Sequence, residues 1–206
     1  MSATSSAALE LLDADYQSQV TVQDSLIPGA GAGLFARDAI LTGSVIALYP
    51  GVSFSDDQVA IMSLNPAYVD NEYLLALPCV QRVLDGAVAI SALSTTVWRS
   101  CVDRYRSAGW PSLARAFDDG DSYVAVGHFA NHAGPEAPNA RVQSIVFDLT
   151  TLDSDQIARV PNADFTTSAD NVIHGAALVA ATDIAAGSEI VIDYAFGPSA
   201  AARAAA

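Results

Sequence analysis

Short apolar segments, each stopped by turn-forming residues, restrict the possible folds of this sequence more than any other feature. Apolar runs of roughly four to eight residues bounded by Gly, Pro, Asn, Asp or Ser are typical of β-strands. The clearest is 45–49, which is apolar and ends at Pro50-Gly51. The pattern therefore predicts a mainly β protein of the α+β class. The predicted strands are 19–22, 33–36, 45–49, 73–77, 83–90, 142–148, 177–181 and 190–194.

Helices are predicted at fewer places. The clearest is 95–107, where apolar side chains recur on one face at helical spacing. A second short helix is predicted after Pro111, because proline suits the first turn of a helix. Residues 1–19 are rich in Ala and Ser and indicate a short helix or a loose tail; we assign them as a flexible N-terminal segment. Residues 152–175 are polar and predict a surface loop or insertion, and 198–206 predict a disordered tail.

Two separated segments, 36–49 and 181–194, resemble each other. Each contains Asp and Ile, then a glycine turn, then an apolar strand that ends in Tyr. Ordinary hairpins share such turn chemistry, so the similarity is open to that explanation. It is too short to indicate a solenoid of repeats.

The composition indicates one globular domain. The chain has 206 residues, of which 51% are hydrophobic and 16% charged, which is too apolar for a disordered chain. This length suits a single domain. The sequence has no run of about 18 apolar residues, so we expect no membrane partner.

The charge is strongly one-sided. Nine basic residues, all of them arginine, stand against 23 acidic ones, and the formal net charge is −14. This leaves little material for a basic patch, so we expect no direct nucleic-acid binding. An acidic surface favours a basic protein or peptide as partner, although net acidity also serves solubility alone.

The cysteines and the N-terminal sequence predict an intracellular protein. Cys79 and Cys101 do not form a CxxC pair, and we interpret them as buried thiols of a reducing compartment. Residues 1–24 contain no Arg or Lys, which a secretory signal or a mitochondrial presequence needs. We therefore expect the nucleus or the cytoplasm.

Two segments carry candidate chemistry. In Gly29-Ala-Gly-Ala-Gly33, Leu34 breaks a GxGxxG pattern and no P-loop lysine follows. Alternating glycines allow either close approach of a ligand to the backbone or a plain tight turn. His128 and His132 are spaced for a metal on a helix, but no third ligand follows at a usual spacing, so we expect no metal. We interpret His128 and His174 as hydrogen-bonded structural residues.

Three segments taken together point to a family. They are Gly31-Ala-Gly33-Leu-Phe, Asn131-His132 through Pro138-Asn139, and Gly187-Ser-Glu-Ile-Val-Ile-Asp193-Tyr194, and they occur in this order. The set resembles the three signatures of the SET-domain family of protein lysine methyltransferases. Tyr49-Pro-Gly51 also resembles the early Tyr-x-Gly strand end of that family. The resemblance covers about 20–197, which is nearly the whole chain.

Within the family, the sequence is most similar to the SET domain-containing protein nine group. The supporting residues are 49–51, 84–86, 98–101, 125–127 and Asn131. The resemblance implies a SET fold of short curved strands with a C-terminal pseudoknot threaded near 131–139. It also implies a helical insert at about 91–123 within a SET domain at 20–197.

The family resemblance further implies an activity and a site. The implied activity is S-adenosylmethionine-dependent methyl transfer to a lysine side chain of a basic protein substrate. Tyr194 would stand at the methyl-transfer centre, where Tyr49 could help. Asn131 and His132 would contact the methionine and adenine parts of the cofactor, and Phe196 could act as a lid. The predicted cofactor-binding residues are Gly31, Ala32, Gly33, Leu34, Asn131, His132, Tyr194 and Phe196.

The second signature departs from the family pattern. Asn139 lies two residues farther from Asn131 than that pattern places it, and Ala133 and Gly134 replace Ser and Cys. No cysteine cluster follows Tyr194. These departures favour an alternative function, a catalytically inactive SET-like domain that binds a protein partner.

Overall fold

The computed structural model describes residues 3–13, 17–55, 57–58, 74–77, 82–86, 125–133, 137–165 and 171–194. Two of its helices are α1 (Ala3–Glu10) and α2 (Ser154–Arg159), and a 3-10 turn spans Gly127–Phe129. Several predictions fall outside the described residues. They concern the helices at 95–107 and after Pro111, the insert at 91–123, the tail at 198–206, both cysteines and Phe196. The strands are β1 (Val20–Asp24), β2 (Ala32–Ala36), β3 (Val45–Tyr49), β4 (Gly51–Ser55), β5 (Leu74–Leu77), β6 (Arg82–Asp85), β7 (Asn131–His132), β8 (Ala140–Asp148), β9 (Asn162–Asp164), β10 (Val172–Ala180) and β11 (Glu189–Ile192).

The strands form three small sheets, which confirms the mainly β prediction. Their orders are β1-β2-β11-β7, β3-β10-β8 and β5-β6-β4-β9. Neighbouring strands pair antiparallel, except that β11 runs parallel to β7 and β4 runs parallel to β9. Turn residues separate strands as the sequence indicates, and β3 has the predicted bounds.

The hydrophobic core divides into clusters that tie the sheets together. One cluster joins β3, β4, β8 and β10 to α1, and includes Leu48, Phe54 and Phe147. A second lies under β2 and β11, and includes Leu34 and Ile190. Burial of such side chains is the main favourable term in folding. The second cluster therefore anchors the two strands on which two of the sequence signatures lie.

Residues 3–13 pack on the core, which corrects the flexible assignment for that part of 1–19. Ala8, Leu11 and Leu12 are buried in the first cluster, and Leu12 has no exposed surface. Arg159 in α2 donates through its guanidinium to the Asp13 carbonyl over 2.7 Å. Of the two predicted alternatives, a short helix and a loose tail, the structure has the helix at α1.

Leu12→Ala is expected to lower the free energy of unfolding by about 3 kcal/mol, because it removes a fully buried side chain and leaves a cavity. Leu26→Ala is the matched control, since Leu26 is 75% exposed, and we expect it to change stability by less than about 0.5 kcal/mol. Chemical denaturation of both variants measures the difference. Equal effects would contradict the packed position of 3–13.

The segment predicted as a surface loop, 152–175, contains ordered elements instead. α2 begins with a capping box in which the Asp153 side chain accepts from the Gln156 backbone and the Gln156 side chain accepts from the Asp153 backbone. In β9, Asn162 donates to the Tyr49 carbonyl over 2.9 Å, and Asp164 lies 3.0 Å from the His174 ring. Asn162 and Asp164 are fully buried, and these two contacts offset part of the cost of burying their polar atoms.

The similarity between 36–49 and 181–194 reflects two turns that bind each other. Ile40 and Ile184 exchange both backbone hydrogen bonds, at 2.9 and 2.8 Å. Four more backbone bonds join the two turns to the strands beside them. Ala36 exchanges bonds with the 187–188 turn, from Gly187 N to Ala36 O and from Ala36 N to Ser188 O, which sets β2 beside β11. Ala180 exchanges bonds with the 43–44 turn, from Gly43 N to Ala180 O and from Ala180 N to Ser44 O, which sets β3 beside β10.

Candidate active site

Strand β11 lies between β2 and β7, and this brings the three sequence signatures together. On one side, Glu189 and Ile190 pair antiparallel with β2. On the other side, Val191 pairs with Asn131 and Ile192 with His132 in parallel register. Segments far apart in the sequence therefore share one sheet.

Asn139 fixes β11 from the side. Its Nδ2 donates to the Glu189 carbonyl over 2.8 Å, and its Oδ1 accepts from the Val191 backbone over 2.9 Å. The carboxamide thus pairs with β11 as a neighbouring strand would. The longer spacing after Asn131 still places Asn139 on β11. Threading of a pseudoknot depends on 134–136, which lie outside the described residues, so it stays a prediction.

Tyr194 lies two residues after the end of β11 and at the surface, with 44% of its area exposed. Its hydroxyl donates to the Ala130 carbonyl over 3.1 Å, and its backbone N–H donates to His132 Nδ1 over 3.2 Å. The His132 and Tyr194 rings lie 5.3 Å apart, between centroids. Asp193 Oδ1 is 3.9 Å from His132 Nδ1. An oriented phenol, an imidazole and a carboxylate therefore lie together at one edge.

The glycine run forms an irregular loop into β2. Gly29 and Gly31 have φ angles of 81° and 75°, which favour glycine, and a Cβ on either would meet open space. At Gly33, by contrast, a Cβ would lie 2.5 Å from Glu189 Oε1. Asn131 Nδ2 donates to the Ala32 carbonyl over 3.0 Å. The loop thus presents backbone to open space beside Asn131.

Tyr49 lies deeper, under the 3-10 turn. Its ring packs closely on Gly86, where an added Cβ would lie 2.5 Å from Tyr49 Cε1. The His128 ring meets its edge at 6.5 Å between centroids. The same turn leads to Ala130, the acceptor of the Tyr194 hydroxyl. Tyr49 is therefore connected to Tyr194 through the segment 127–130.

His128 is packed between aromatic rings, with Phe129 at 4.2 Å from it between centroids. Burial lowers the pKa of His128 to about 4, against a hydrogen bond with the Ala125 backbone that raises it. A lowered pKa means that the unfolded chain binds the proton first as the pH falls. Stability from this group is therefore complete above pH 6.5 and is lost as the pH falls toward about 4.

We expect the unfolding free energy to fall by about 2 kcal/mol more in wild type than in His128→Phe between pH 7 and pH 4. This figure is discounted because part of the ring reaches solvent. Urea denaturation of both proteins at a series of pH values gives the two profiles. If the unfolding free energies of the two proteins changed equally with pH, the lowered pKa of His128 would not contribute to the pH dependence of stability.

Comparison with known families decides the classification. The sequence model of the SET domain family matches residues 31–195. This chain belongs to the SET domain family. No curated protein matches the chain in sequence.

Solved structures similar to this SET domain include proteins from two organisms. A Plasmodium falciparum protein assigned as a candidate histone methyltransferase is 15% identical, with a TM-score of 0.41, and the match covers 87% of this chain and 95% of that one. The Chaetomium thermophilum Polycomb Repressive Complex 2, autoinhibited and bound to S-adenosylmethionine, is 15% identical with a TM-score of 0.47 and 92% of this chain covered. A humanized mutant of that complex bound to an inhibitor is also 15% identical, with a TM-score of 0.45 and 89% of this chain covered. The SET domain spans only 17% and 16% of those two Polycomb chains.

Of the nine predicted site residues, the SET domain brings five together and leaves three apart, and Phe196 lies outside the described residues. Ala32, Asn131, His132 and Tyr194 are joined by the contacts described above, and Gly33 faces Glu189. Leu34 points into the second core cluster and is fully buried, so its side chain serves packing. Tyr49 is separated from Tyr194 by the 3-10 turn at Gly127–Phe129, and Gly31 lies in the glycine loop that leads into β2.

Sequence reasoning missed one residue of this site, Glu189. It was visible in the third signature, immediately after Gly187-Ser188. Its partners Ser25 and Leu26 lie more than 160 residues earlier, so the signature alone does not show which groups the carboxylate binds.

In the part of the chain that the structure describes, no helix is long and apolar enough to cross a membrane. The finer placement in the protein nine group stays a prediction.

Proposed function

We propose that this SET domain is an S-adenosylmethionine-dependent protein-lysine N-methyltransferase. The observation that carries the proposal is the assembly of Ala32, Asn131, His132 and Tyr194 around one strand, β11. The Polycomb structure bound to S-adenosylmethionine is consistent with this cofactor. Family membership gives the class, and the assembled residues give the proposed site.

The residues present fit such a cofactor. Gly31 exposes backbone to open space in a conformation that favours glycine, so a ligand can approach it closely. The His132 and Tyr194 rings, tilted by 35° at 5.3 Å between centroids, offer apolar surface, and Asp193 offers a negative charge beside them. A sulfonium cation with an adenine ring and polar amino-acid groups suits that combination. When bound, it supplies an electrophilic methyl group.

Catalysis by the protein rests on positioning and desolvation. In-line transfer needs a neutral amine aligned with the methyl group, and holding the two in place removes much of the barrier. An apolar passage lowers the pKa of a lysine by desolvation, which supplies the neutral form. The Tyr194 hydroxyl is oriented by its bond to Ala130, so its oxygen can accept weak hydrogen bonds from the polarised methyl or the ammonium.

The proposed substrate is a basic protein or peptide. The net charge of −14 steers positively charged partners and raises association rates. The chain has no lysine, so it presents no lysine side chain of its own to be methylated. Labelled methyl found on lysine in an assay therefore comes from the added substrate.

Two measurements test the proposed function. Calorimetric titration with S-adenosylmethionine, and with S-adenosylhomocysteine beside it, is expected to show micromolar binding. Incubation with labelled S-adenosylmethionine and a panel of cellular proteins is expected to place label on lysine. Folded protein that binds neither compound would overturn the proposal, as would binding with no transfer to any protein of the panel.

The inactive interaction domain is a second candidate, favoured by one observation. Asn131 Nδ2 donates both to Ala32 O and to Glu189 Oε1, at 3.0 and 3.1 Å, so its two amide hydrogens are used inside the protein. This function predicts that a basic partner binds equally well with and without cofactor. It also predicts that Tyr194→Phe leaves that binding and the cellular function intact. Loss of cellular function in Tyr194→Phe would count against it.

A further inference from the structure

We propose that Glu189 is a positioning residue that holds the 25–33 loop and Asn131 in the geometry that binds the cofactor. The inference rests on the proposed function. It assigns a role to a side chain that does not itself need to touch the cofactor. Its basis is the set of bonds that converge on one carboxylate.

The Glu189 carboxylate accepts hydrogen bonds from three separate groups. Ser25 Oγ donates to Oε1 over 2.5 Å, and the Leu26 backbone N–H donates to Oε2 over 2.8 Å. Asn131 Nδ2 donates to Oε1 over 3.1 Å. One side chain of β11 therefore joins the start of the glycine loop to β7.

The loop is fixed at its other end by the same group of residues. Ser25 N donates to Gly31 O over 2.8 Å, which closes the loop on itself. Asn131 Nδ2 holds Ala32 O, so Glu189 and Ala32 share one amide. Release of the carboxylate would therefore loosen both parts: the loop would lose its bonds from Ser25 Oγ and Leu26 N, and Asn131 would keep its bond to Ala32 O but lose the one to Oε1.

Gly33 leaves the space that the carboxylate occupies. A Cβ at Gly33 would lie 2.5 Å from Glu189 Oε1 and 3.2 Å from Cδ. A side chain at this position would displace Glu189 from its partners. The glycine of this signature is thus explained here by an internal carboxylate beside the loop.

The carboxylate is held in its ionised form. Burial raises the pKa of Glu189, but the hydrogen bonds from Ser25, Asn131 and Leu26 outweigh burial and leave the pKa lowered. Bonds to an ionised acceptor are about twice as strong as neutral ones. Protonation or an uncharged replacement would weaken the whole group of contacts.

The experiment compares Glu189→Gln with wild type and with Asp183→Asn. Asp183 is a matched control, because its carboxylate also accepts from a hydroxyl and a backbone N–H, both of Thr42, at 2.7 and 2.8 Å. The probe is S-adenosylhomocysteine, titrated by calorimetry. Glu189→Gln is expected to raise its Kd about tenfold, and Asp183→Asn less than about twofold.

Two readouts separate positioning from general stability. The Kd of wild type is expected to rise as the pH falls through the lowered pKa of Glu189, whereas that of Glu189→Gln stays flatter. Without ligand, exchange of the Leu26 amide hydrogen is expected to be about tenfold faster in Glu189→Gln and unchanged in Asp183→Asn. Ser25→Ala removes the hydroxyl that donates to the Glu189 carboxylate. The same measurements are made on this variant if Glu189→Gln does not fold.

The outcomes are distinct. Wild type that binds S-adenosylhomocysteine, with unchanged affinity in the folded Glu189→Gln or Ser25→Ala variant, would overturn the positioning role alone. Folded wild type that binds neither S-adenosylhomocysteine nor S-adenosylmethionine would overturn the proposed function and this role with it. A tenfold loss confined to the Glu189 and Ser25 variants supports both.

Discussion

Tyr194→Phe is expected to lower kcat for methyl transfer by roughly 100- to 1,000-fold, while the Kd for S-adenosylmethionine changes less than about threefold. The substitution removes the hydroxyl that Ala130 orients and leaves the ring in contact with His132. An interaction that matters in the transition state lowers kcat without a matching change in binding. Single-turnover transfer of labelled methyl, with calorimetry beside it, measures both quantities.

Tyr49→Phe is the comparison for that result. Its ring is buried on Gly86 and His128, so we assign it a supporting part and expect a kcat loss of about tenfold or less. Thermal unfolding of both variants checks that each is folded. A Tyr194→Phe enzyme with wild-type kcat would contradict the proposed role of the hydroxyl.

Gly51→Ala is expected to lower the free energy of unfolding by about 4 kcal/mol. Gly51 begins β4 with a φ angle of 148°, a conformation that side chains rarely adopt. An added Cβ would also overlap the backbone carbonyl of Asp85, which is part of the neighbouring strand β6. Neither backbone can move without breaking the β4–β6 pairing. Urea denaturation gives the value.

Gly187→Ala separates the cost of backbone strain from the cost of the steric overlap. Gly187 also has a positive φ angle, 80°, but a Cβ there would meet open space. We therefore expect a loss of about 1–2 kcal/mol, from backbone strain alone. Similar losses in both variants would show that the contact with Asp85 contributes little.

The strands could be predicted because their signals are local. Val45–Tyr49 combines apolar residues with a Pro-Gly stop, and the structure has the same bounds. The sequence predicts a loop at Asn162 and Asp164, because polar residues usually indicate one, and that prediction is wrong. Their burial depends on Tyr49 and His174, whose positions no local pattern supplies. The capping box at Asp153 and Gln156 was the one local signal that marked this region as ordered.

In the candidate site, too, local motifs could be predicted from the sequence and contacts between distant residues could not. Asn131, His132 and Tyr194 could be predicted because each belongs to a motif with an ordered counterpart in a known family. The motif places Leu34 among the cofactor-binding residues, although an apolar residue inside a strand more often faces the core, as it does here. Glu189 also lies in a signature, but the sequence does not assign it a role, because its partners Ser25 and Leu26 are distant in the chain.

The position of β11 also governs when the molecule can assemble. Ser25, in the loop before β2, and Glu189, in β11, are separated by 164 residues. β2 therefore lacks its partner strand β11 while most of the chain is synthesised. At about 5–20 residues per second, that interval is roughly 8–33 s. During it, one edge of β2 is an unpaired template on a nascent chain, and such edges invite aggregation. Non-local pairing of this kind also slows folding. The arrangement that builds the site therefore leaves one edge of β2 exposed on the nascent chain until β11 has been synthesised.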